Sequence, residues 1–380
     1  MQTQKTQWAP LFLIILFTMA GLLFFVLFLM AGLQAVMSLV RQDGNAAAQM
    51  NLAAAYFVES IVAFIPAYFG LRKYMRKEDA DLPMRLSFAR WQVWGSFLAF
   101  FVSLGLGSLI ASNAPLNVLL LPIFTLAVIL IPIWFLFGVG ANRLPLGTRW
   151  RFWSIFGLGM TLSPFVLIVL EILLGIAVLA LLIVYVIVNP DLVEKMTRLA
   201  SQMEGLSDPE QILGLVAPYL SNPKILLIAL GYIALAVPLL EELIKPIGVW
   251  LFGRQITTPA EGFAMGALSG SAYAFIESLG VAAVSGVDWA SLVSARAGTS
   301  LLHILTSGLM GSAIVQAFHG RKYLRLLLTY LGAVLLHGIW NGMTVTIAFS
   351  TVATWSGLPS DLSRLSVPAI GAMFTLVLGL

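Results

Sequence analysis

The chain has no cysteine, only three histidines and very little charge, since Lys, Arg, Asp and Glu together supply 10% of its 380 residues. The missing cysteine excludes disulfides, thiolate metal ligands and a cysteine nucleophile, and leaves the redox compartment unmarked. The scarcity of charge excludes a water-soluble fold: 60% of the residues are hydrophobic and the mean hydropathy is +0.96, more apolar surface than a soluble core can hide. Lipid is therefore the solvent for most of the molecule. The 21 Lys and Arg exceed the 17 Asp and Glu only modestly. Cytoplasmic loops account for such an excess, and no nucleic-acid partner is implied.

A membrane span needs roughly 20 mostly apolar residues to cover a hydrocarbon core about 30 Å thick. Ten stretches approach this, near 9–36, 50–71, 91–111, 116–140, 154–188, 225–253, 263–284, 296–318, 326–350 and 366–380. The last stays apolar to the final residue and reads as short, re-entrant or cut off within a span. The expected fold is an all-α polytopic transmembrane helix bundle of about ten spans. It divides into an N-terminal membrane bundle (1–188), an extracytoplasmic loop (189–224), a membrane core (225–350) and a C-terminal loop with the last span (351–380). Basic residues follow every even-numbered span: Arg72, Lys73, Arg76, Lys77, Arg85 and Arg90; Arg143, Arg149 and Arg151; Arg254; Arg321, Lys322 and Arg325. Lys and Arg in short loops favour the cytoplasmic side, which predicts a cytoplasmic N-terminus. The first apolar run is too long for the core of a secretory signal, so it reads as a retained anchor of an integral membrane protein.

In the loop, Leu192, Met196, Leu199, Met203 and Leu206 recur at helical spacing, and Ser207 with Glu210 forms a capping box. These features predict an interfacial helical hairpin, either a plain amphipathic connector or a lid over a substrate path.

An ionisable side chain deep in a membrane costs at least a few kcal/mol and marks a functional candidate. Glu59 and Glu171 stand alone in spans two and five and read equally well as interhelical hydrogen-bonding groups. Glu241 and Glu242 are adjacent in span six, Glu277 lies in span seven, and His303 and His337 lie in spans eight and nine; His319 sits at a basic helix end, as a solvated histidine would. Residues three or four apart share a helix face, so Lys245 can reach either glutamate of the pair, Tyr273 aligns with Glu277, and Asn341 aligns with His337 to orient the ring or bind a substrate carbonyl. Two carboxylates crowded in a low dielectric resist double ionisation, which suits general acid and base work on a water molecule. The histidines would supply an oxyanion donor or, with Glu277, ligate a metal that acidifies the water. Hydrolysis inside the membrane is the chemistry these residues point to.

The run Glu241-Glu242-Leu243-Ile244-Lys245, then Gly262-Phe263-Ala264-Met265-Gly266 leading to Tyr273-Ala274-Phe275-Ile276-Glu277, then Arg296, His303 and Gly311, then His337-Gly338-Ile339-Trp340-Asn341, resembles the PrsW family of intramembrane proteases. That family is related to the type II CAAX prenyl endopeptidases and bacteriocin-processing enzymes. The resemblance covers about 120 residues, spans six to nine, and is silent on spans one to five. It implies an endopeptidase of a bacterial or archaeal plasma membrane that cuts membrane-embedded or membrane-proximal proteins. Glu241 and Glu242 would activate water, and Glu277, His303, His337 and Asn341 would complete the site. Tyr273 departs slightly from the usual Phe, and Asn341 stands where the pattern tends to have Asp. Glu277, His303 and His337 would make a three-ligand zinc site with water in the fourth place, or the same residues would serve a metal-free glutamate mechanism.

Other protease classes leave no trace: there is no His-Glu-x-x-His, no Gly-x-Gly-Asp and no Gly-x-Ser-Gly around Ser269 and Ser271. A proton-coupled transporter would also bury Glu and His, but it predicts inverted repeats, and the polar groups here gather in one half of the chain. A non-catalytic membrane scaffold of the same fold is the third reading.

Overall fold

A computed structural model describes residues 8–206, 211–212, 214–216, 223–281, 289–355 and 366–379. Among them the secondary structure is helical apart from one isolated bridge, Pro83 to Thr148. The helices are α1 (Trp8–Arg41), α2 (Ala46–Tyr74), α3 (Arg90–Ala111), α4 (Leu116–Gly140), α5 (Arg149–Met160), α6 (Leu162–Ile187) and α7 (Pro190–Met203). They continue with α8 (Pro223–Gly231), α9 (Val237–Ile244), α10 (Ile247–Phe252), α11 (Pro259–Val281), α12 (Trp289–Gly320), α13 (Tyr323–Trp355) and α14 (Ser366–Gly379). The polytopic helical bundle expected from composition is present.

Among the described residues, eight helical segments are long and apolar enough to cross a membrane, against the ten stretches expected. The seventh expected span forms α11, but this helix is built of Gly, Ala and Ser with two glutamates, and most of its residues are buried by other helices. It need not be apolar because protein, not lipid, is its solvent. The tenth forms α14, whose 14 residues reach about 21 Å, short of the bilayer core. The fifth is one apolar run interrupted at Thr161, between α5 and α6.

The chain divides into two compact units. The first comprises 1–165 and 242–333, the second 166–241 and 334–380. In the first, Phe17, Leu121, Ile155, Leu158, Met160, Met265, Leu279 and Trp289 are fully buried, whereas Leu22, Leu29 and Leu33 on α1 and Trp91, Trp94 and Leu98 on α3 are exposed. Exposed apolar helix faces are what a lipid solvent demands. Trp289 lies so close to Gly107 that a β-carbon there would come within 2.2 Å of the ring, and its indole N–H donates to Thr125 Oγ1 at 2.9 Å. The second unit carries the lipid-type surface of α6, with Ile172, Leu173, Ile176 and Leu179 exposed. It also holds α7, the helix expected in the loop; the capping box at Ser207 and Glu210 lies outside the described residues.

Candidate active site

The first unit positions its polar groups through one helix pair. Along α11, Gly262, Gly266 and Gly270 face Gly311, Ser307 and His303 of α12 so closely that a β-carbon on any of the three would sit 2.1–2.7 Å from a backbone carbonyl oxygen. Small residues let membrane helices touch backbone to backbone. The pairs run antiparallel, Gly262 with Gly311, Gly266 with Ser307 and Gly270 with His303. Continuing that register two turns brings Glu277 opposite Arg296. The contacts follow: Arg296 Nη2 donates to Glu277 Oε2 at 2.5 Å, His303 Nε2 lies 2.7 Å from the same oxygen, and Arg296 Nε donates to Ser278 Oγ at 3.2 Å.

The other side of His303 meets a chain break. Pro246 has no N–H and cannot continue a helix, so α9 ends at Ile244 and α10 starts at Ile247. Carbonyls released at such a break inside a membrane must find donors. Trp250 Nε1 donates to Leu243 O at 2.9 Å, Ser163 Oγ to Ile244 O at 3.4 Å and Ser269 Oγ to Lys245 O at 2.6 Å. Lys245 stands at this break with its ammonium 2.7 Å from Glu242 Oε1 and 2.8 Å from His303 Nδ1, and 5.3 Å from the centre of the Tyr273 ring. Tyr273 in turn meets the imidazole edge to face at 5.3 Å.

A continuous polar chain therefore runs Glu242, Lys245, His303, Glu277, Arg296 within one unit, and Glu242, Lys245 and His303 are each 0% exposed. Two carboxylates alternate with two cations, so the desolvated charges are matched in number. The partners also fix the histidine. An ammonium can only donate, so Nδ1 accepts from Lys245, and Nε2 carries the proton and donates it to Glu277.

The second unit brings together Glu241 and His337, both buried, with Oε2 and Nε2 3.8 Å apart. A π-helical turn at Tyr232–Ala236 precedes α9, and Gly338 lets α13 approach it: a β-carbon there would meet Ala234 O at 2.3 Å. Asn341 shares the face of His337 but donates its amide to Ile233 O of that turn at 3.0 Å. Its amide is thus spent on backbone, a role the sequence spacing did not suggest.

Outside these groups, Glu59 is buried in α2 and Glu171 is half-buried in α6, where its backbone carbonyl accepts from Tyr232. His319 is exposed and its Nε2 donates to Ile256 O at 2.8 Å. In the sequence Lys245 reads as a partner of the glutamate pair and Arg296 as part of the family pattern, but the contact of Lys245 with His303 and that of Arg296 with Glu277 depend on how the helices pair.

The donor set fits a divalent metal. Glu242 Oε1 and His303 Nδ1 already converge on one cationic centre, the Lys245 ammonium, and carboxylate with imidazole is a zinc-type pair. Glu277 meets the imidazole on its far nitrogen, the place of the outer carboxylate that orients metal-binding histidines. A ligand role for Glu277 itself meets a different geometry, because its Oε2 is engaged by both Arg296 and His303.

Among family models, the one described as PrsW family intramembrane metalloprotease matches residues 148–370, more than half of the chain. No curated protein and no solved structure matches.

Proposed function

Because the chain belongs to the PrsW family of intramembrane metalloproteases, we propose that it hydrolyses peptide bonds of membrane-embedded or membrane-proximal proteins with a water activated by the Glu241–Glu242 pair. The observation that carries this reading is the buried chain from Glu242 through Lys245 and His303 to Glu277, a set of ionisable groups too costly in lipid to be kept for packing alone.

The residues divide the work. A glutamate of the pair takes a proton from water as the water oxygen bonds to the scissile carbonyl carbon; the C–N bond then breaks and the carboxyl returns the proton to the leaving amine. His303, its ring held by Glu277, presents Nδ1 to the Lys245 ammonium, which also holds Glu242. Glu277 acts behind the ring as a positioning carboxylate, and Arg296 holds Glu277. Within the second unit Glu241 lies beside His337, and Asn341 supports His337's helix through the Ile233 carbonyl. Carboxylate and imidazole donors such as Glu242 and His303 would hold a divalent metal, zinc by donor type, and when bound it would supply Lewis acidity that acidifies water and polarises the carbonyl. The N-terminus belongs on the cytoplasmic side, on the strength of the basic loops that follow α2 and α4.

Purified protein in bilayers, offered a panel of single-span membrane substrates, tests the reading. Glu242→Gln, Glu241→Gln, His303→Ala and His337→Ala should each abolish cleavage, and chelator should abolish it in the parent. A parent and variants that cut equally, or none that cut any substrate, would overturn it.

A further inference from the structure

His303 has a single lone pair to offer, since its Nε2–H is committed to Glu277 at 2.7 Å, and that lone pair is occupied by the Lys245 ammonium at 2.8 Å. The same ammonium takes Glu242 Oε1 at 2.7 Å. A zinc ion held by His303 would need the Nδ1 lone pair that the ammonium now takes. Two cations cannot share one lone pair, and both together would repel strongly in so dry a place.

We propose that Lys245 is an internal stand-in cation: its ammonium occupies the metal's place between Glu242 and His303, so loading of the site and the Lys245–His303 contact exclude each other. The inference rests on the metal reading given above and adds how that site is regulated. Local structure suits the exchange. Lys245 lies at the α9–α10 break rather than inside a helix, and its four-methylene stem can turn without unwinding one. The Tyr273 ring, its centre 5.3 Å from the ammonium, already gives that charge a cation–π contact. Lys245 is thus a positioning residue that holds the His303 tautomer and the Glu242 carboxylate in register.

The test is cobalt and zinc binding to the full chain in detergent, read by cobalt absorption and calorimetry, for the parent and Lys245→Met. Removing the competing cation should tighten binding by more than about tenfold. Lys245→Met should also lose thermal stability in chelator and regain it with metal, which replaces the missing charge; the parent should gain less. Equal or weaker binding by Lys245→Met would overturn the proposal. If that variant does not fold, the parent decides: with only three histidines in the chain, ¹⁵N-histidine spectra should show the His303 Nδ1 resonance moving on metal addition, and an unmoved resonance in a metal-loaded sample would overturn the proposal. A parent in which no metal binds at all would overturn the metal reading along with it, a result distinct from binding that is indifferent to Lys245.

Discussion

The α11–α12 contact makes a prediction with its own control in the same helix. In Gly266→Ala the new β-carbon would lie 2.1 Å from Ser307 O and 3.0 Å from Gly311 Cα. The neighbours are backbone atoms that cannot rotate away, so the helices must part by about 1 Å to restore ordinary contact. Overpacking of this kind costs about 1–3 kcal/mol, less the gain of up to about 1 kcal/mol that Ala brings a helix relative to Gly. Gly280→Ala, near the end of the same helix, meets nothing within 4 Å and should show that gain alone. The two variants should therefore differ by about 1–3 kcal/mol, in opposite directions from the parent, in reversible unfolding in mixed micelles. Parting the helices also lengthens the 2.7 Å contact between Glu277 and His303, so Gly266→Ala should cut more slowly at unchanged substrate binding. Equal stability of the two variants would refute the argument that this contact is backbone-tight.

Glu277→Gln keeps an acceptor for His303 but removes the charge that holds both His303 and Arg296, and should reduce proteolysis roughly 10–100-fold, as loss of an outer carboxylate does; an effect below twofold in steady-state kinetics would deny it the positioning role. Trp289→Phe removes the 2.9 Å donation to Thr125 Oγ1 inside a tight fit against Gly107 and should cost about 1 kcal/mol in the same unfolding assay. In the loop after α2, the hydrogen bond from Arg72 holds the Asp79 carboxyl below its ordinary value of 3.8. A lowered folded-state value means stability that is present above the unfolded value and is lost as pH falls through the folded one. Hydrogen exchange in residues 75–89 should therefore rise below about pH 3.8, and Asp79→Asn should remove that acid dependence.

Much of this was legible in the sequence, for reasons that can be assigned. Lipid exposure is written in long apolar runs, so α1 to α4 appear almost where they were expected. Burial by protein is written differently: α11 is a stripe of Gly, Ala and Ser, and a hydropathy argument sees it only as a weaker span. The glutamates and histidines could be named because a charge in lipid is conspicuous. Which groups meet was not readable, since pairing depends on helix register. Spacing along one helix gave Lys245 to the glutamate pair, but its second contact, with His303, is 58 residues away. Asn341 shows the limit of the same reasoning, because sharing a face with His337 says nothing of the π-turn carbonyl waiting across the groove within its unit.

The order of charges along the polar chain bears on why the region tolerates its own chemistry. Each carboxylate of the polar chain sits beside a cation: Glu242 beside Lys245 at a proline break, Glu277 beside Arg296 across a glycine-tight helix pair. An isolated ion of either sign would carry a desolvation cost of several kcal/mol, and removing one partner alone would expose it. The alternation lets a neutral imidazole sit between two opposite charges and be oriented by both. It follows that double replacements which preserve the count, such as Glu277→Gln with Arg296→Met, should fold better than either single one while still failing to cut. Stability and activity would then separate at these positions, and a double variant as unstable as the worse single one would show that packing, not charge matching, is what the pair provides.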